Sequence, residues 1–228
     1  MDMKTQEKVK DIEITTEDVA KKLRNTKIDK SAGPDGIHPR ILKELCEELS
    51  QPLAILFNKT LTEGKIPDDW KTANITAIHK KGNKKLASNY RPVSLTCLIC
   101  KKMEEIVRDI LMKHIKTAKI LSNKQYGFVG GRSTILQLLK VLDDWTKILD
   151  DGGEVDVIYM DFMKAFDMVP HRRLLKKLGC YGVHGKLLNW LKEFLNKRKQ
   201  RVVVNGCKSE WKDVLSGVPQ GSVIGGGY

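Results

Sequence analysis

At 228 residues the chain has room for one large domain or two small ones with a sizeable core. With 41% hydrophobic and 30% charged residues it reads as a soluble globular protein, not a disordered or membrane-embedded one. A net charge of +13 points to a polyanionic partner, nucleic acid ahead of an anionic membrane surface.

Residues 1–14 are charged and without pattern, the mark of a frayed tail. Thr15-Thr16-Glu17-Asp18 opens a short helix with Val19, Ala20 and Leu23 on one side. Lys30-Ser31-Ala32-Gly33-Pro34-Asp35-Gly36 is a loop punctuated by Gly-Pro and Asp-Gly. A helix with Ile41, Leu42, Leu45 and Cys46 inward is expected after it, then a second carrying Leu53, Leu56, Phe57 and Leu61 and ending near Gly64. Alternation over 73–79 predicts a strand, Lys80-Lys81-Gly82-Asn83-Lys84-Lys85 a basic tip, and Tyr90-Arg91-Pro92-Val93-Ser94-Leu95 the return. On residue type alone such a tip is simply solvated. Residues 96–118 form an amphipathic helix with Ile106, Val107, Ile110, Leu111 and Ile115 on one face and mixed charges on a solvated one. In Gln125-Tyr126-Gly127-Phe128-Val129-Gly130-Gly131-Arg132-Ser133-Thr134 the paired glycines allow close backbone approach. Ser133 is placed to cap a helix whose inner stripe is Ile135, Leu138, Leu139, Leu142, Trp145 and Leu149. Its N-terminus beside Arg132 is either an anion site or an ordinary helix start.

An acidic, glycine-bearing turn at 150–154 leads into 155–160, where Val155, Val157 and Tyr159 alternate with Asp156, Ile158 and Met160 as in a strand. Asp161 falls at the end of that run. There a carboxylate either caps the strand or holds a divalent cation that handles phosphates. A helix follows over 171–178, broken by Gly179-Cys180-Tyr181-Gly182, and another carries Leu187, Leu188, Leu191, Phe194 and Leu195. Lys197-Arg198-Lys199 and Arg201 then suit a helix C-terminus or nucleic acid. Val202-Val203-Val204, Asn205-Gly206 and 208–214 spell a hairpin with a two-residue turn. Ser216-Gly217-Val218-Pro219-Gln220-Gly221-Ser222 reads as a tight loop before a helix. Five scattered cysteines, an odd number, indicate reduced thiols. Cys97-x-x-Cys100 lacks a second metal-ligand pair and reads best as two buried small residues. No apolar run reaches the ~18 residues of a membrane span, and no signal-peptide core is seen, so an intracellular protein without a transmembrane segment is expected.

Five blocks, KSAGPDGIHPRILKEL, NYRPVSL, QYGFVGGRST, YMDFMKAFDMV and SGVPQGSVIG, occur in an order that resembles the reverse transcriptases of non-LTR (LINE-type, jockey-like) retrotransposons. The likeness runs from about residue 30 to residue 225. It implies an α+β, helix-rich fingers and palm fold with an incomplete antiparallel palm sheet. It divides the chain into a tail and short helix over 1–29, a fingers-like region over 30–150 and a partial palm over 151–228, with no thumb. The implied reaction is attack of a primer 3′-hydroxyl on the α-phosphate of a deoxynucleoside triphosphate, directed by an RNA template or RNA/DNA hybrid and assisted by two Mg²⁺ ions.

By the same resemblance Asp161 is the first metal ligand and catalytic carboxylate. Arg91, with Lys80 or Lys81, neutralises the triphosphate. Phe166 is the aromatic gate against a ribose 2′-hydroxyl, or a core residue on a helix turn. Gln220 and Gly221 align template and nucleotide, and Gly131, Arg132 and Ser133 meet the template strand. The pattern departs from the family at Gly226-Gly227-Tyr228, before the aromatic-x-Asp-Asp hairpin that holds the other metal ligands; Asp213 stands alone. Three readings follow: an active RNA-directed DNA polymerase, a truncated fragment that binds RNA or hybrid without turnover, and a non-catalytic basic remnant or untranslated relic. The second is the one expected of this chain.

Overall fold

The computed structural model describes residues 7–9 and 12–224. The expected departure at Gly226-Gly227-Tyr228, and residues 1–6, 10 and 11 of the expected tail, lie outside the described residues. Helix α1 (Thr16–Arg24) starts where the sequence signals it, at a reciprocal cap between Thr15 and Asp18. Its Val19, Ala20 and Leu23 are buried. Pro39 at the first turn opens α2 (Pro39–Glu44), and α3 (Cys46–Glu63) stops at Gly64, whose φ of 62° is the left-handed conformation of a glycine terminator. After α4 (Leu98–Thr117) come α5 (Thr134–Asp150), α6 (His171–Cys180) and α7 (Gly185–Leu195).

The main core lies among α1, α3, α4 and α7, with Leu23, Phe57, Met103, Val107, Trp190 and Phe194 all nearly inaccessible. Trp190 stacks on Phe194 with centroids 5.4 Å apart and donates its indole N–H to Thr60 Oγ1 at 3.2 Å. Each such side chain contributes roughly 1.5–3 kcal/mol on burial. The segment before α1 is anchored too. Ile14 is buried, its N–H donates to Asn58 Oδ1 at 2.9 Å, and Asn58 Nδ2 donates back to Ile14 O at 2.7 Å. Within the expected tail, Val9 and Ile12 also pack on the core, so these positions are not frayed.

One five-stranded mixed sheet closes the other side, in the order β2-β1-β3-β4 with β5 also on β3. β1 (Thr72–His79) and β2 (Tyr90–Thr96) are the expected antiparallel hairpin. β3 (Lys199–Val204) pairs parallel with β1, from Thr72 opposite Lys199 to Thr76 opposite Val203. It pairs antiparallel with β4 (Cys207–Lys208) and β5 (Lys212–Asp213). Asn205 and Gly206 make the two-residue turn with φ of 49° and 80°.

Three expectations need correction. Residues 155–160 form no strand, and Ile158, Tyr159 and Met160 are 85–91% exposed. Alternation supplies a face but not a ladder partner, and both β1 and β3 are already flanked on each side. In α5 the apolar stripe exists, yet nothing in it is buried, because no described element packs along it. On α2 only Leu42 of the proposed inward set is buried, while Ile41 and Leu45 are half exposed and Cys46 begins α3.

Candidate functional site

Strand β2 is the frame of the site. Its hairpin is narrowed at the neck by an edge contact between His79 and Tyr90, ring centroids 5.3 Å apart. Lys80 and Lys81 lie on the exposed tip and Arg91 is exposed at the start of the returning strand. Among the described residues none of these cations has a side-chain ion pair, so all are free to meet an anion.

The 216–224 loop lies against the same strand. Ser94 N–H donates to Gln220 O at 2.7 Å. Gly221 makes that approach feasible: its φ is +112°, and a Cβ there would stand 2.9 Å from Ser94 O. The other end of the loop is tied to the turn after Asp161. Val218 N–H donates to Phe166 O at 2.8 Å, Gly217 N–H to Val169 O at 2.9 Å, and Ser216 Oγ to Asp167 O at 2.9 Å. His171 Nε2 contacts Gly217 O at 2.7 Å, which requires that nitrogen to carry the proton. A cavity of about 450 Å³ opens between this loop and the sheet, lined by Ser94, Asp167, Lys199, Arg201, Lys212 and Gln220 among others.

The remaining expected residues divide. Phe166 is half-buried and meets Phe128 edge-on, with centroids 6.3 Å apart, so it joins the glycine-rich loop to the 216–224 loop. Arg132 reaches the carbonyls of Ser122, Asn123 and Gln125 and lies over the Tyr126 ring, contacts that close its own loop. Ser133 Oγ accepts from Leu136 N–H at 3.2 Å as the cap of α5, and Gly131 adopts a φ of +82°. Asp161 is exposed, does not line that cavity and has no side-chain partner among the described residues. The structure thus seats Gln220 and Gly221 on β2 at Ser94 and ties their loop to Phe166, with Arg91 exposed at the start of the same strand; Asp161 lies outside these contacts.

A sequence model described as "Reverse transcriptase (RNA-dependent DNA polymerase)" matches residues 78–227. The chain belongs to the reverse transcriptase family. It is 32% identical over 213 residues to the RNA-directed DNA polymerase from mobile element jockey of Drosophila melanogaster, covering 93% of this chain and 23% of that protein. It is 31% identical over 219 residues to the probable RNA-directed DNA polymerase from transposon BS of the same organism, again covering 93% and 23%. The jockey polymerase of Drosophila funebris is 30% identical over 213 residues. The chain therefore spans about a quarter of the length of these relatives. The mixed helices and small sheet fit a reverse-transcriptase-like domain, and among the described residues no helix is long and apolar enough to cross a membrane.

Reverse transcriptases generally use divalent metal ions. Among the described residues no group of three or more His, Cys, Asp or Glu side chains is arranged to hold one. At Asp161 the donor set is a lone exposed carboxylate, which does not make a two-ion site.

Two residues central to the site's architecture escape a reading by residue type. Glu104 on α4 is fully buried, and its Oε2 accepts from Val223 N–H at 2.8 Å and Ile224 N–H at 3.3 Å. Burial pushes its carboxyl above the usual range, with the Arg198 charge and those two amides opposing the rise. Arg198 is 2% exposed, donates Nη1 to Phe194 O at 3.0 Å and stacks on that ring. A signal for Glu104 exists in the spacing: Cys100, Glu104, Val107 and Leu111 share one helical stripe, and the other three are apolar and buried.

Proposed function

We propose that this chain is the nucleotide- and template-contacting portion of a retrotransposon RNA-directed DNA polymerase, and that it binds RNA template and RNA/DNA hybrid without extending primers by itself. The observation that carries the reading is the seating of Gln220 and Gly221 on β2, just beyond Arg91 and the basic tip. That arrangement supports an aligning role for the loop, with exposed cations farther along the same hairpin able to take up phosphate charge. In this reading the fingers-like region runs over 30–150 and the partial palm over 151–228. Arg91 with Lys80 or Lys81 holds the triphosphate of an incoming deoxynucleotide. Gln220 and Gly221 align it with the template, Phe166 excludes a 2′-hydroxyl, and Gly131, Arg132 and Ser133 face the template backbone. Asp161 is the carboxylate that, among the described residues, this reading gives to the Mg²⁺ site of the family. Because the residues present do not complete that site, turnover is not expected of the isolated chain.

Primer extension on an RNA template with Mg²⁺ or Mn²⁺ tests the second half of the proposal; template-dependent synthesis would overturn it. RNA affinity measured against salt tests the first half. Arg132→Ala should reduce the slope of log K against log salt by about 0.7, whereas replacing Lys80, Lys81 and Arg91 together by Ala should weaken binding of a deoxynucleoside triphosphate and leave that slope nearly unchanged. A wild-type affinity that stays flat from low to moderate salt would refute nucleic-acid contact.

A further inference from the structure

We propose that Glu104 is a positioning residue for the Gln220–Gly221 loop, clamping its far flank to α4 through the backbone amides of Val223 and Ile224. The inference rests on the reading of that loop as the aligning segment of the site. Its near flank is pinned by Ser94 N–H on Gln220 O at 2.7 Å, and Ser94 and Glu104 belong to one continuous stretch in which only Cys97 separates β2 from α4. The loop is thus gripped at two points by a single rigid unit. Gly217 and Gly221, with φ of +83° and +112°, give its backbone turns that only glycine adopts readily, and Ser216 Oγ on Asp167 O ties the opposite end of the loop, away from Val223 and Ile224.

Both amides meet the same oxygen, Oε2, and a carboxylate strengthens the two bonds by its charge. An ionised Glu offers acceptors only, matching two amide donors, whereas Gln at the same position would turn an NH₂ toward an N–H unless it flips. Glu104 is 0% exposed, and among the described residues no cation lies within ion-pair distance of it. Arg198 is its long-range counter-charge: that guanidinium is 2% exposed, and its Nη2 has no hydrogen-bond partner among the described residues. A buried carboxylate held in this way is anchored by the loop amides and balanced, at a distance, by Arg198.

Amide hydrogen exchange on the 228-residue chain, read by mass spectrometry, tests the clamp. In Glu104→Gln, peptides covering 218–224 should exchange roughly tenfold faster, the effect of losing a charge-assisted hydrogen bond, while peptides of α3 keep their protection. If Glu104→Gln strands the Arg198 charge and fails to fold, Glu104→Gln/Arg198→Met removes both charges and is read in the same way. Unchanged exchange over 218–224, or an equal rise in the loop and in α3, would overturn the proposal by making Glu104 an ordinary core residue. Salt-dependent RNA binding is measured on the same samples. Loss of RNA affinity in the wild type with the loop still loosened by the substitution sinks the functional reading and leaves the clamp standing.

Discussion

Gly33 and Gly36 lie in one turn but are needed for different reasons, and replacing each by Ala separates the two. At Gly33 a Cβ would stand 2.5 Å from Thr96 O, 2.7 Å from Thr96 C and 2.9 Å from Cys97 N. All three are backbone atoms at the β2–α4 junction, so no side-chain rotation relieves the clash. The loop must lift or the junction must move, at a cost of roughly 2–3 kcal/mol, the upper part of the overpacking range. At Gly36 nothing lies within 4 Å, and the only obstacle is a φ of +72°. That left-handed backbone costs Ala about 1 kcal/mol. The gain from restricting the unfolded chain is the same at both positions and cancels in the comparison. Urea unfolding should therefore show Gly33→Ala destabilising the protein by about 1–2 kcal/mol more than Gly36→Ala, with unchanged slopes. Asn tolerates positive φ, so Gly36→Asn should regain most of the loss and Gly33→Asn none of it. Equal effects at the two sites, or recovery by Asn at position 33, would refute the assignment of close approach to one glycine and backbone strain to the other.

Thr96 is buried and its hydroxyl has no hydrogen-bond partner among the described residues, so Thr96→Val should raise stability by about 1 kcal/mol in the same unfolding assay. Burial, reinforced by the neighbouring Asp35, pushes the Cys97 thiol up to about 12, and burial raises Cys100 well above its usual range. Alkylation of the native protein at mildly alkaline pH should therefore label exposed Cys207 quickly and spare Cys97 and Cys100 until the chain unfolds. Lys71, almost wholly buried, meets Glu193 at 2.5 Å. Burial raises the Glu193 carboxyl, but the Lys71 hydrogen bond and charge outweigh it and leave the group below its usual range. A lowered carboxylate stabilises the fold above its unfolded pKa of ~4.3 and loses that contribution as pH falls through the folded value. Lys71→Met should cost about 1–2 kcal/mol near neutral pH, and the gap to wild type should narrow in acid thermal melts.

Where local chemistry decides, the residues announced the outcome. The Thr15–Asp18 cap, the Gly64 terminator, the Asn205-Gly206 turn and the β1–β2 hairpin all formed as their side chains and glycines require. Where a partner decides, they did not. The run at 155–160 and the stripe of α5 have the right period but nothing to pack on, and period alone cannot report that. The site divides in the same way. Gln220, Gly221 and Arg91 stand in blocks that drew notice, and the seating of Gln220 and Gly221 on β2 follows from a hydrogen bond and a glycine contact at Ser94. Glu104 was counted with the solvated charges of α4 and Arg198 with cations for a helix end or nucleic acid, since residue type favours exposure; only the stripe position of Glu104 hinted at burial. The parallel pairing of β1 with β3 was invisible because it joins distant segments.

That pairing sets the order in which the molecule can assemble. Asn74 and Arg201, bonded across it, are 127 residues apart, so the β1–β2 hairpin emerges from the ribosome long before the strand that completes it. Until β3 arrives, one side of β1 offers unpaired backbone groups to any extended chain nearby. A pause in translation within 72–199 would prolong that vulnerable interval.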